Sequence, residues 1–429
     1  MADSPKKVTT SPARRRLPGV AAASKPPQEK QASNPSDQPA VNPLRQAKVP
    51  EHGKARAYAA GLVAVIKKQL PDKADPDAVR LLSQGDILSA VTEWIPSMFP
   101  NVDSVIGGGW AVGRVSEIFG PEGSGKSALT HMAIKGCQTL GGVPIVLDFE
   151  AALEPHKLEQ LGIDPARLIY IVPEHVEQGL NILTSALEQM KAKAPPAPVL
   201  IVWDSVAAAP TSQELVKQYG DKTMMVKAQL MSEACRKLLL LTAKTRAHVM
   251  FVNQEREGQP KPGSFFKEME TPGGKGVRYA ASQRIRCTRV STLKESRGGQ
   301  PRAVGYLTQI VTRKCRLTPP HQKTTFVLDF MQGPSPELTM RQLMLDAKVM
   351  QTVKTPKGTM LRVKVDGDAY DIPRSQWLRH IQTDANYRAL VEKAYQPVLA
   401  KVNWVNMAAD DVDVADGKAD TSEEAEGQE

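Results

Sequence analysis

Cysteine is scarce: four residues in 429, Cys137, Cys235, Cys287 and Cys315, stand far apart with no CxxC pair among them. That excludes a zinc ribbon and a disulfide framework, and it points to a reducing compartment. Long apolar runs are missing as well, none approaching the ~20 residues a bilayer span requires. The opening stretch MADSPKKVTTSPARRR has no hydrophobic segment of secretory type. The expectation is a cytoplasmic protein with no membrane contact. The basic, acid-poor start also suits an organelle transit peptide, but nine prolines in the first fifty residues argue against the amphipathic helix such a leader needs.

Acidic residues are few at one end and basic ones at the other. Residues 1–50 hold nine Lys/Arg against three Asp/Glu, and residues 406–429 hold nine Asp/Glu against one Lys. With a net charge of +10 overall, the intervening residues 51–405 carry +12. A body that basic beside an acidic tail suggests a polyanionic partner and a built-in competitor for it, or serves solubility alone. At 41% hydrophobic residues, the chain can bury one core of about 200–250 residues with smaller appendages.

Residues 1–50, rich in Pro, Ser, Ala and Lys with few large apolar side chains, read as a disordered basic arm. Residues 51–105 hold a linker and a helix, ARAYAAGLVAVIKKQL, with apolar Tyr58, Leu62, Val65 and Ile66 at helical spacing. This helix either caps the core or docks on a neighbouring subunit. In residues 106–335, short β-branched runs (VSEIF, PIVLDF, LIYIV, VLIVWD, HVMFVN) alternate with helical stretches. They predict an α/β fold, a mostly parallel sheet covered by helices on both faces. After Val252 strands follow one another near Gln283–Val290, Ala303–Thr312 and Thr324–Phe330, an antiparallel extension of that sheet. Residues 336–405 read as a small α+β unit closed by the helix YRALVEKAYQPVLAKV, and residues 406–429 as a disordered acidic tail.

GPEGSGKS, Gly120–Ser127, fits the P-loop pattern GxxxxGK[ST] and sits between an apolar strand and a helix, the context the motif requires. Gly120, Gly123 and Gly125 let the backbone bend so that its N–H groups surround the phosphates of ATP, with Pro121, Glu122, Ser124 and Ala128 completing the cradle. Lys126 is placed to reach the β- and γ-phosphates and the Ser127 hydroxyl to bind Mg2+. Asp204 ends the buried run VLIVWD, at the edge where open parallel sheets bind ligands. An acid there is often a mere helix cap, but with a P-loop upstream it reads as the second magnesium group.

Further segments follow in order: VLDFEAALEP, WDSVAA, SEACRKLL, FVNQER and TPGGKGVRYAASQRIR. With the P-loop they resemble the RecA family of DNA recombinases, over residues 54–429. The resemblance implies a RecA-like ATPase core preceded by a polymerisation helix and followed by a small α+β domain. It makes Glu150 the group that activates the attacking water and Gln254 the sensor of the γ-phosphate. Lys314 and Arg316 become cations that reach the ATP site of the adjacent subunit. Glu154 would accept a hydrogen bond from the adenine amino group.

Two loops would face DNA. The first is Glu214–Thr223, with Met224, Arg236 and Lys237 after it; the latter two read nearly as well as a solvated helix face. The second is Glu255–Pro272. There Arg256, Lys261, Phe265, Phe266 and Lys267, followed by Lys275 and Arg278, would hold phosphates and stack on bases. The sequence departs from the family at Lys157, where an aromatic packs on adenine, and at Gln229, where a basic residue stands. It departs also in a more basic first loop carrying Tyr219 and a longer second loop.

The resemblance therefore implies an ATP- and Mg2+-dependent recombinase that forms a helical homo-polymer on single-stranded DNA, pairs it with homologous duplex DNA and exchanges strands. Expected partners are both forms of DNA, further copies of the chain, a single-strand-binding protein and a self-cleaving repressor of the SOS response. Two other readings share the core: a ring-forming helicase or branch-migration motor, and an ATP-gated scaffold whose filament promotes repressor self-cleavage. The helix ahead of the core and the small domain after it favour the recombinase filament over the ring.

Overall fold

The computed structural model describes residues 52–71, 79, 81, 90–216, 224–257, 269–297, 300–356 and 358–402. The arm 1–50, the tail 406–429, most of the first loop, and Lys261, Phe265, Phe266 and Lys267 lie outside them. The helix His52–Lys67 belongs to a unit of its own, and its Tyr58, Leu62, Val65 and Ile66 are exposed.

The other unit is built on one nine-stranded sheet. Its strands are β1 (Val115–Gly120), β2 (Val143–Asp148), β3 (Ile169–Ile171), β4 (Val199–Asp204), β5 (Ala247–Gln254), β6 (Gln283–Arg297), β7 (Gln300–Cys315), β8 (Lys323–Asp329) and β9 (Gly333–Ser335), in the order β9-β8-β7-β6-β1-β5-β4-β2-β3. Pairing is parallel from β6 through β1, β5, β4 and β2 to β3, and antiparallel from β6 through β7 and β8 to β9. The mixed α/β architecture expected from the sequence is therefore present, with the strands that follow Val252 forming the antiparallel extension.

Alternation along the strands explains the layering. Val146, Leu200, Val202, Met250 and Val252 join Leu129, Met132 and Ala133 of the helix Lys126–Thr139 in one buried cluster. Their sequence neighbours Ile145, Leu147, Ile201, Trp203, Val249 and Phe251 join a second cluster with the helices Val176–Ala192, Met224–Ala243 and Gly274–Ala280. Both faces are apolar because both are covered. Each such side chain contributes ~1.5–3 kcal/mol by leaving water.

β6 and β7 run longer than their β-branched segments suggest, because they pair with each other from Gln283↔Cys315 to Arg297↔Gln300. A smaller antiparallel sheet, β10 (Met350–Thr355), β11 (Gly358–Val365) and β12 (Asp368–Pro373), packs with the helices Pro336–Asp346, Trp377–Thr383 and Ala385–Val402. Trp377 and Tyr387 meet edge to face at 5.9 Å in its core. Val327 of β8 belongs to the same cluster and ties this sheet to the larger one. Among the described residues no helix is long and apolar enough to cross a membrane.

Candidate nucleotide site

The site forms where β1, β2, β4 and β5 end. β1 stops at Gly120 and the chain turns into the helix Lys126–Thr139, so the intervening backbone wraps the helix N-terminus. Two glycines are required there. Gly120 has φ +151° and a Cβ on it would collide with the carbonyl of Cys287 on β6; Gly125 has φ +91° and its Cβ would meet Thr308 Oγ1 at 2.7 Å. The Thr308 hydroxyl donates to Ser124 O at 3.1 Å, pinning the loop to β7. Ser124 Oγ is buried without a partner, a polar atom aimed at no protein group.

Lys126 Nζ donates to Gly120 O at 3.1 Å and Pro121 O at 2.7 Å. Burial lowers its pKa, while Asp204, Glu150 and Glu122 pull it back up. Glu122, Gly123 and Ser127 are exposed, and Pro121 and Ala128 half-buried, along the open side of the loop.

Opposite stand three carboxylates. Asp148 and Asp204 are register partners at the ends of β2 and β4. Asp148 accepts from the backbone N–H groups of Glu150 (2.9 Å), Ala152 (2.9 Å) and Leu153 (3.1 Å), and from the Tyr170 hydroxyl (3.2 Å). It thereby shapes the turn that presents Glu150. Glu150 Oε1 accepts from the Ser205 hydroxyl at 2.5 Å and from Gln254 Nε2 at 3.4 Å. Asp204 is pushed up to about 7 by its burial and by the nearby charges of Glu150 and Asp148, against the pull of Lys126.

Below Gln254 lies a buried network that the sequence did not disclose. Glu117 on β1, fully buried, pairs with Arg284 Nε at 2.5 Å and accepts from Asn253 Nδ2 at 3.0 Å. The same Asn253 Nδ2 donates to Pro272 O at 2.9 Å, and Arg284 Nη2 donates to Thr271 Oγ1 at 3.3 Å. Glu255 N donates to Gly120 O at 3.1 Å and its carboxylate pairs with Arg286. Both stems of the second loop are thus tied to the strand that carries the P-loop.

The remaining sequence-selected residues scatter. Arg256 is exposed at the start of the second loop, and Lys275 and Arg278 are exposed on the helix Gly274–Ala280. That helix packs through Val277 and Ala280 onto Met231 and Cys235 of Met224–Ala243, which brings the segments after the two loops together. Arg236 and Lys237 are exposed on the longer helix, Lys237 paired with Glu233 at 3.1 Å, and Met224 is its first residue.

Lys314 donates to the carbonyls of Arg278 (3.1 Å) and Tyr279 (2.8 Å), with Arg316 beside it at 3.5 Å from Tyr279 O. Lys314 lies six residues along β7 from Thr308, about 20 Å at strand rise, so it is not brought to this chain's own P-loop. Glu154 pairs with exposed Lys157 at 3.0 Å across the helix Pro155–Gln160.

Reasoning from sequence passed over Asp148, Ser205, Glu117, Asn253, Arg284 and Thr308. Only Asp148 left a signal, a second acid two residues before Glu150 at the same strand end.

The family model for the RecA N-terminal domain matches residues 69–335, ending with β9. Protein RecA of Clavibacter michiganensis subsp. michiganensis is 32% identical over 318 residues, covering 74% of this chain and 83% of its own. Protein RecA of Gloeothece citriformis is 31% identical over 334 residues, covering 77% and 89%. The crystal structure of the RadB recombinase aligns with 56% of this chain and 98% of its own, at 18% identity and a TM-score of 0.40, too distant to carry argument.

Proposed function

Since the chain belongs to the RecA family, we propose that it hydrolyses ATP with Mg2+ and polymerises on single-stranded DNA, pairs homologous duplex DNA and exchanges strands. One observation carries this reading: the hydrogen-bonded line from Ser205 through Glu150 to Gln254, with the second loop's stems anchored directly behind it. It joins the group suited to activate water, a side chain suited to sense a γ-phosphate, and the loop proposed to hold DNA.

The residues fit the nucleotide and its ion. The loop's N–H groups and the orphaned Ser124 hydroxyl suit phosphate oxygens, and Lys126 need only turn from two carbonyls to reach them. Asp204 and Ser127 offer the hard oxygen donors Mg2+ prefers, few in number as is usual when phosphates complete its shell. When bound, Mg2+ neutralises phosphate charge and the carboxylate crowding that raises Asp204.

Glu150, held by Ser205, orients water and takes its proton. Gln254 shifts with the terminal phosphate and moves the loop stem. Lys314 and Arg316, far from this chain's own P-loop, serve the site of the next subunit, and this geometry supports a polymer over a self-sufficient monomer. Glu154 contacts adenine. Arg256, Lys275 and Arg278, with Arg236, Lys237 and Met224, line the DNA side, together with Lys261, Phe265, Phe266 and Lys267. The acidic residues after 406 compete with DNA for this surface.

Electron microscopy with single-stranded DNA and a non-hydrolysable ATP analogue tests the reading, alongside strand exchange between homologous substrates. Helical filaments and exchanged product are expected; rings, or filaments that exchange nothing, would sink it.

A further inference from the structure

Away from the phosphate site, a cleft of about 610 Å³ opens between the larger sheet's helices and the small C-terminal sheet's helices. Met132 of the P-loop helix and Tyr395 of the closing helix Ala385–Val402 form its buried floor. Met98, Leu161, Met340 and Leu399, each only half-buried, surround it. Met331 is 85% exposed at its mouth. Lys135 and Arg388 share the rim with Glu337 and Glu392, so the rim favours neither sign of charge. Gln160, Gln332, Gln382 and Gln396 line it too, so the surface is mixed, and its apolar part is rich in methionine, whose thioether adapts to an incoming aromatic ring.

The closing helix runs along one wall, through Arg388, Glu392, Tyr395, Gln396 and Leu399, a stripe of about 16 Å. Val402, the helix's last residue, is one turn beyond Leu399, and it is buried in the cluster that contains Phe99 and Val102. Met98 and Pro100 of that neighbourhood line the cleft too. The chain therefore leaves the helix at one end of the cleft. The residues that follow are Asn403, Trp404, Val405, Asn406 and Met407, which include the one aromatic and the one methionine of residues 403–429. Beyond them acidic residues begin at Asp410 and Asp411. Five extended residues span about 17 Å, the length of the stripe.

We propose that Trp404, Val405 and Met407 fold back along the closing helix and occupy this cleft in the same chain. Docking covers the half-buried methionines and leucines, and it fixes the start of the acidic tail against the helices that frame the nucleotide site. Because the segment is tethered at the cleft's end, its effective concentration there is high without a partner molecule. The proposal stands whether or not the chain exchanges DNA strands.

Acrylamide quenching of the full-length protein, read as the difference between wild type and Trp404→Phe, isolates Trp404: Trp110, Trp203 and Trp377 are fully buried, and half-buried Trp94 contributes alike to both proteins. Protection of Trp404 by at least about threefold relative to free tryptophan is expected for a mostly docked tethered segment. Met340→Glu, or Leu161→Gln should the first variant not fold, is expected to abolish that protection while the far-ultraviolet dichroism stays native. Trp404 quenched as freely as the amino acid overturns the proposal. So does protection indifferent to both cleft variants, which would place the segment elsewhere. Protection that fades on dilution would overturn it in favour of insertion into a second copy.

Discussion

The two edges of the parallel strands both bury polar side chains, but on opposite terms. At the N-terminal edge His248 Nδ1 meets Ala111 O at 2.7 Å and its Nε2 meets Ser116 Oγ at 2.8 Å. Gln283 Nε2 donates to Ile106 O and Gly109 O, both at 2.7 Å, while its Oε1 accepts from Ala111 N at 3.2 Å. These groups are neutral and answered, although Trp110 Nε1, Thr242 Oγ1 and Ser282 Oγ close by are buried without a protein partner. At the C-terminal edge, three carboxylates and an ammonium crowd together, Asp204 is pushed up to about 7 and Ser124 Oγ goes unanswered. One edge buries neutral groups and the other crowds carboxylates round an ammonium, and it is the electrostatic tension of the second that suits it to a charged ligand.

The largest effect that separates the edges is expected from Glu150→Gln. The substitution keeps size and polarity but removes the proposed base, so kcat for ATP hydrolysis should fall about 10²–10⁴-fold with nucleotide-dependent assembly on DNA retained. Thermal stability should stay near wild type, because the side chain is exposed. If assembly is lost in step with turnover, Glu150 organises the site and does not serve as its base.

The N-terminal edge should answer to pH instead. Burial drives His248 down to about 4, with the hydrogen bond to Ala111 opposing. A depressed pKa means the folded state holds the neutral ring. That stability is full above the unfolded value near 6.5 and is lost as pH falls toward and through 4, at about 1.4 kcal/mol per pH unit, roughly 3 kcal/mol in all. Urea unfolding at pH 7 and pH 5 reads it. His248→Gln should show a shallower acid loss than wild type, and equal slopes would remove His248 from the account.

This contrast also explains what the sequence could disclose. The P-loop, Asp204 and the strand–helix alternation are local patterns, since phosphate binding needs glycines at fixed spacing and a covered sheet needs β-branched runs. Glu117, Asn253 and Arg284 meet only because β1, β5 and β6 become neighbours, and no spacing along the chain encodes that adjacency. Gln283 likewise looks like any strand residue until its amide is seen to answer three backbone groups. Thr308 gains meaning only from the approach of Gly125. The closing unit's cleft was illegible for the same reason, its walls coming from segments as distant as Met98 and Leu399.

The smallest effect belongs to neither edge. Glu154 and Lys157 face solvent on the short helix Pro155–Gln160 and satisfy each other at 3.0 Å, with side chains more than half exposed. An exposed pair of this kind is worth no more than about 1 kcal/mol, so breaking it costs the fold little. Lys157→Tyr should then act on the bound base alone. An aromatic ring stacked on adenine contributes about 0.5–1.5 kcal/mol, which predicts ATP binding roughly threefold to tenfold tighter, with Glu154 freed from Lys157 to accept from the adenine amino group and the gain smaller for GTP. With the proposed hydrolytic groups at the strand ends, kcat should not follow. Titration of both nucleotides against wild type and Lys157→Tyr measures this directly; an equal gain for both, or a change in kcat larger than the change in affinity, would mean that position 157 touches the phosphates and that the base lies elsewhere.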